Sequence, residues 1–165
     1  MIKFKNGLVL FVVLFLFWVL MSNTFNAEVL IAGSAISLVL ALFVAPNLEV
    51  FSEIRFTPKA ILFTFIYLLV FLKELILSNF DVAFRVVSPK LPINPGIVEA
   101  KTKLKSPMAR MILANSITLT PGTFTVDLKE DTLFIHCIDI KSENVTEVTN
   151  RVIRKFEKYL EVIYG

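Results

Sequence analysis

The sequence predicts a membrane α-helical N-terminal part joined to a small α+β domain of strand-helix-strand-strand-helix order. Three observations predict it. The 165 residues are 56% hydrophobic with 16 Phe, above the roughly 45–50% apolar content of soluble domains. The apolar residues are concentrated in the first half, in runs approaching the roughly 20 residues that cross a bilayer core. After Arg85 the pattern changes to prolines, alternating strands and two shorter helices.

Taken in order, residues 8–21 carry no charge, and residues 29–46 contain only Ser34 and Ser37 among apolar or small residues. Both read as spanning helices. The connecting "SNTFNAE" holds one acid and no base, which suits an outer loop. No small-residue cleavage pattern follows Met21 and a second apolar run arrives at once, so the first run is expected to stay in the mature protein. Gly33, Ser37 and Ala41 recur at a spacing of four on the second span. Such a strip lets another helix approach closely, within the chain or from a partner.

Lys3, Lys5, Arg55, Lys59, Arg85, Lys90, Lys101, Lys103, Lys105 and Arg110 lie outside these two runs. Positively charged loops stay on the cytoplasmic side, which puts the N-terminus and the C-terminal domain there. A third crossing over residues 58–87 would carry that basic domain across the membrane. The third run resolves the conflict by its texture: Thr64, Tyr67, Glu74, Ser78, Asp81 and Arg85 share one helical arc, with apolar residues elsewhere. The expectation is two full crossings, then a tilted or in-plane third helix. Asp81 and Arg85 have the i, i+4 spacing of an ion pair. Lys73 and Glu74, embedded in the apolar run, have three readings: snorkelling near the surface, contact with a partner, or an ion relay. A relay is the poorest of the three, because the first two spans offer no carboxylate, lysine or histidine to continue it.

Residues 89–96 form a linker, with Pro89, Pro92 and Pro95 at every third position in an extended, polyproline-like run. The domain then covers residues 97–165. Ile97 to Leu104 reads as an edge strand guarded by lysines, and Ser106-Pro107 as the cap and first turn of a helix. Thr120-Pro121-Gly122-Thr123 fits a type II turn, where Pro121 presets the second position and Gly122 takes the positive φ of the third. Phe124, Val126 and Leu128 are expected on the buried side of the next strand, which pairs with Leu133 to Ile140 across "KEDT". From Ser142 onward a helix should bury Val145, Val148, Val152, Ile153, Phe156, Leu160 and Ile163, with Glu147 and Arg151 paired on the other side.

Several chemistries find no residues. His136 is the only histidine and sits in a strand, so no serine or threonine has an evident activating base, and no catalytic role is assigned to any residue. The single Cys137 cannot form an internal disulfide, no metal-ligand spacing occurs, and no glycine-rich phosphate loop suggests a cofactor. The basic residues beside the membrane helices are read as facing anionic headgroups, with no nucleic-acid role.

"ANSITLTPGTFTVD" (114–127), "LFIHCID" (133–139), "FLKELILSNFDVA" (71–83) and "INPGIV" (93–98), with the order of the hydrophobic segments, resemble the E-type subunit of the multisubunit Mrp-type Na+/H+ antiporter. The resemblance implies an accessory component of a multi-pass cell-membrane assembly exchanging monovalent cations for protons. Larger partner subunits would conduct the ions, and the small domain would be cytoplasmic. E-like subunits also occur in membrane-bound hydrogenase-type complexes, so an equivalent place in such a respiratory complex stays open. The rival from another class is a stand-alone membrane-anchored binding or sensing module. If the chain is part of such an assembly, Gly33, Ser37, Ala41, Lys73, Glu74, Asp81 and Arg85 are candidate packing or partner contacts, and Pro121 and Gly122 form a structural corner.

Overall fold

Helix α1 (Ile2–Ser22) ends where Asn23 turns to φ 48°, with its N–H donating to the Val19 carbonyl at 3.1 Å. Asparagine tolerates this left-handed conformation better than most residues. Helix α2 (Ala27–Val44) follows, with Glu28 in its first turn complementing the helix dipole. A short 3₁₀ turn, Ala45–Asn47, carries Pro46 and ends the run. In the computed structural model the described residues are 2–47, 53, 55–141 and 144–165.

The chain divides into two compact units, residues 1–54 and 55–165. The first is the α1–α2 hairpin. Leu20, Ile31, Leu42 and Phe43 lie exposed on its surface, a pattern that fits hydrocarbon surroundings and not water.

The second unit begins with α3 (Pro58–Val87). Thr57 caps it, its side chain accepting from Ala60 N–H at 3.1 Å, and Pro58 occupies the first turn, where its missing N–H costs nothing. Thirty residues make a rod of about 45 Å. Among the described residues α1, α2 and α3 are long and apolar enough to cross a membrane by length and composition.

Beyond the prolines lies a three-stranded antiparallel sheet, ordered β1 (Gly96–Lys101), β3 (Thr132–Cys137), β2 (Thr123–Lys129). Helix α4 (Pro107–Leu119) joins β1 to β2, capped by Ser106, which accepts from Ala109 N–H at 3.0 Å. A C-terminal helical run follows: α5 (Val145–Val148), a π turn (Thr149–Ile153) and α6 (Arg154–Tyr164). Val98, Ala100, Leu133, Ile135 and Cys137 from the sheet close on Leu113, Ile117, Val148, Ile153, Phe156 and Leu160 from the helices. Strand, helix, strand, strand, helix is the order expected.

Three details differ from the sequence reading. Phe124 and Val126 are exposed, and only Leu128 turns inward. Two features of β2 impose this. Thr125 takes the inward place, its N–H donating to Thr118 Oγ1 at 3.1 Å and its Oγ1 to the Ala114 carbonyl at 3.1 Å. The register then slips between Thr125 and Asp127, and the bulge at Val126 flips the strand's faces. Second, β3 stops at Cys137, and the chain beyond it meets the linker through an Asn94–Asp139 bridge. Third, the last helix is not regular. Asn144 caps it, accepting from Thr146 and Glu147 N–H, and the π turn interrupts it; the expected start at Ser142 lies outside the described residues. Among the described residues Glu147 and Arg151 form no ion pair, because the wider π turn rotates Arg151 off the line of Glu147.

Candidate functional site

The strip of small residues on α2 is occupied within the hairpin. Gly33, Ser37 and Ala41 are its buried positions. At Gly33 the reason is steric: a Cβ there would run into Cδ1 and Nε1 of Trp18 on α1. The indole also donates from Nε1 to the Val29 carbonyl at 3.0 Å, so one tryptophan both fills the glycine notch and ties the hairpin.

The polar stripe on α3 has a partner in its own compact unit. Tyr67 is buried edge-on to Phe156 with ring centroids 6.3 Å apart, and its hydroxyl hydrogen-bonds to Ser116 Oγ. Phe63 meets Tyr159, and Phe71 meets Phe156. Glu74 Oε2 accepts from Lys155 Nζ at 2.7 Å, with both side chains about three-quarters covered. Arg85 makes the expected pair with Asp81 at 2.8 Å and adds Asp139 at 3.1 Å. From Phe63 to Arg85 this face runs about 33 Å. Lys73, one residue from Glu74, points outward and is exposed.

The opposite face of α3 is bare. Leu62, Phe65, Leu69, Leu72, Ile76, Phe80 and Phe84 are all exposed, at the three- and four-residue spacing of one helical face. The helix is therefore two-sided: aromatic and charged groups against the α+β fold, and a continuous apolar ridge away from it.

The Thr120–Thr123 corner joins α4 to β2. Thr123 N–H donates to the Thr120 carbonyl at 3.2 Å, and Gly122 has φ 90°, the geometry expected for Pro121 and Gly122 in a type II turn. Thr123 Oγ1 donates to the carbonyls of Ile117 and Thr120, and Ile138 N–H to the Gly122 carbonyl at 3.0 Å. A Cβ on Gly122 would stand 3.1 Å from Ile138 and 3.6 Å from Val82 of α3, so the corner is wedged against both.

Sequence reasoning missed the distant partners. Lys155 and Asp139 complete the α3 stripe from 81 and 54 residues away, and no local periodicity announces such pairings. It also missed Glu157, whose buried carboxylate accepts from Thr102 Oγ1 and Lys103 N–H, both at 2.6 Å. Among the described residues no group of three or more His, Cys, Asp or Glu side chains is placed to hold a metal ion.

Two long apolar helices in one unit, and an amphipathic helix carrying a small α+β fold in the other, define a membrane protein. A family model described as "Na+/H+ ion antiporter subunit" matches residues 11–163. The chain belongs to that family, among the E-type subunits of the multisubunit antiporters. It is 37% identical over 128 residues to the E-type subunit of the Na(+)/H(+) antiporter of Alkalihalophilus pseudofirmus, covering 76% of this chain and 78% of that one. It is 34% identical over 152 residues to the corresponding antiporter subunit of Bacillus subtilis, with 88% and 90% covered. Among solved structures, a chain of the membrane-bound sulfane sulfur reductase, an archaeal respiratory membrane complex, matches with a TM-score of 0.82 and 41% identity, covering 96% of this chain and 99% of that one.

Proposed function

We propose that this chain is an accessory subunit of a multisubunit monovalent cation/proton antiporter module, and that it assembles the module while neighbouring subunits carry the ions. The observation that carries this reading is the use of the polar groups on α3. Tyr67, Glu74 and Arg85 are engaged by the chain's own α+β fold, and Asp81 is held by Arg85. The hairpin has Lys3 and Lys5 near its start and Glu28 at its turn, with no ionisable group between Lys5 and Glu28 or from there to Asn47. A conduction path needs several ionisable or hydrated groups in succession, and the hairpin offers none across its apolar lengths.

The same reading puts α3 in the plane of the membrane surface. One face is already covered over about 33 Å by a fold with charged residues on its exterior. Inserting that helix across the bilayer would drag those charges into hydrocarbon, at about 2.5 kcal/mol or more for each one left at the centre. With the apolar ridge dipped into the lipid, the α+β fold stays in water on the side where the N-terminus lies, the cytoplasmic side by the lysine and arginine distribution. The partners are then the other membrane subunits, and the hairpin's exposed apolar surface is where they and the lipid meet it.

Vesicles containing only the purified chain test the accessory role: no sodium-driven or lithium-driven proton movement is expected, and exchange there would refute it. A second setting, the equivalent place in a respiratory complex, is favoured by the similarity to a chain of the sulfane sulfur reductase complex. Mass spectrometry of the intact detergent-solubilised assembly separates the two, because only the second contains a redox subunit. A chain purifying alone or as a homo-oligomer would instead support the membrane-anchored binding module.

A further inference from the structure

The Thr120–Thr123 corner, the C-terminal half of α3 and the π turn enclose a cleft of about 190 Å³, well beyond the about 15 Å³ that one water needs. Its cations are Arg85, Lys141, Arg151 and Lys155, and their commitments differ. Arg85 is held by Asp81 and Asp139, and Lys155 by Glu74. Lys141 and Arg151 both line the cleft, both are exposed, and among the described residues neither has a carboxylate within ion-pair distance. The cleft's own acids, Asp81 and Asp139, are both paired with Arg85, which leaves Lys141 and Arg151 uncommitted among the described residues.

Arg151 stands there because the helix is irregular. It lies in the π turn Thr149–Ile153, and such single-turn insertions in α-helices occur often at functional sites. Gly122 shapes the facing wall, since its lack of a Cβ lets the corner pack on Ile138. An arginine fork and a lysine point charge at the edge of a cleft are the groups that recognise phosphate oxygens.

We propose that this cleft binds a phosphate-bearing anion, with Lys141 and Arg151 as its cationic ligands. The phosphate has two possible sources, an anionic phospholipid headgroup or a soluble phosphate. The headgroup source rests on α3 lying in the membrane plane, because Ser78, Asp81 and Arg85 line the cleft from the polar side of the helix whose other side carries Ile76, Phe80 and Phe84. Phosphate binding as such does not depend on it.

The test uses the full chain in mild detergent, as wild type and as the Lys141→Ala/Arg151→Ala double variant, with native mass spectrometry after adding phosphatidylglycerol or phosphatidylcholine. A parallel arm measures the thermal midpoint with inorganic phosphate. Wild type should retain phosphatidylglycerol preferentially, and the double variant should lose about 30-fold of that preference, the weight of two basic side chains beside an anionic headgroup. That result supports the headgroup source. Stabilisation of wild type but not the variant by inorganic phosphate, without lipid preference, supports the site with a soluble source. The proposal is overturned if the variant matches wild type in both arms, or if wild type responds in neither. Failure of the in-plane reading is seen separately, in the aqueous labelling of single cysteines placed along α3.

Discussion

Glu157 of α6 and Thr102, just past β1, are joined by a 2.6 Å hydrogen bond inside the protein, and the same carboxylate oxygen takes the Lys103 N–H at 2.6 Å. Glu157 is 2% exposed. A buried carboxylate is tolerable only when its oxygens are satisfied, and here it satisfies in return a backbone donor that leaves the sheet at β1's end. The pairing closes the α+β fold by fastening the C-terminal helix to its first strand. Glu157→Ala should therefore lower stability by about 1–3 kcal/mol through the orphaned donors, while Glu157→Gln, which keeps the acceptor, should cost less. Thermal unfolding of the two variants in detergent checks the ranking. Equal losses would show that the hydrogen bonds are not the reason.

The notch at Gly33 gives a second expectation. Gly33→Leu has no room beside Trp18 and should force the hairpin apart, at about 1–3 kcal/mol for overpacking. The chain contains a single tryptophan, so its emission reports the event directly. The expected result is a shifted spectrum as the Trp18–Val29 hydrogen bond is lost. An unchanged spectrum in a folded variant would mean that α1 and α2 do not meet at this notch.

Much of this architecture is legible in the residues themselves. The two apolar runs, the capping Ser106-Pro107 and the Pro121-Gly122 corner are local signals: each depends on residues a few positions apart, and each forms as expected. The Asp81–Arg85 pair is readable for the same reason. What escapes is non-local or depends on one inserted residue. Val126 occupies a bulge that a strict two-residue period cannot foresee, and the π turn breaks the helical count between Glu147 and Arg151. The polar stripe of α3 is visible in sequence, yet its partner is not, since the lysine that answers Glu74 stands 81 residues later.

That distant pair supplies a third expectation. Glu74→Lys should set like charges against each other at Lys155, and Lys155→Glu should do the same with the signs reversed. The double exchange should recover about 0.5–1 kcal/mol of coupling, the range for partly exposed pairs. A double-mutant cycle read by thermal unfolding measures it. Absence of any coupling would remove this contact as a tie between α3 and α6.

Gly122 gives a fourth expectation, drawn from the proposed scaffold role. Its φ of 90° is strained for any side chain, and a Cβ would press on Ile138. Gly122→Val should cost about 1–2 kcal/mol for the left-handed backbone, before the contact is counted, and should reduce recovery of the chain with its larger partners. The sodium-to-lithium preference of whatever assembly survives should be unchanged. A fully assembled variant with altered preference would show that the corner belongs to the ion path and not to the scaffold.

Cys137 tests the burial of the sheet's inner face without disturbing it. Burial is the largest influence on its thiol and pushes its pKa up; Arg151 opposes this, and Asp139 reinforces it. The thiolate is the reactive form, so alkylation at mildly alkaline pH should be slow in the folded protein and fast after denaturation. The sign for stability follows from protons bound: a raised pKa means the folded state holds its proton longer than the unfolded state. The contribution is fully present below the unfolded thiol's pKa and is lost as pH rises from there through the raised folded value. Removing Arg151 takes away the one influence that lowers the pKa, so Arg151→Ala should slow alkylation of the folded protein further. If the variant reacted faster while still folded, Arg151 would be acting as a cover over the thiol and not as a nearby charge.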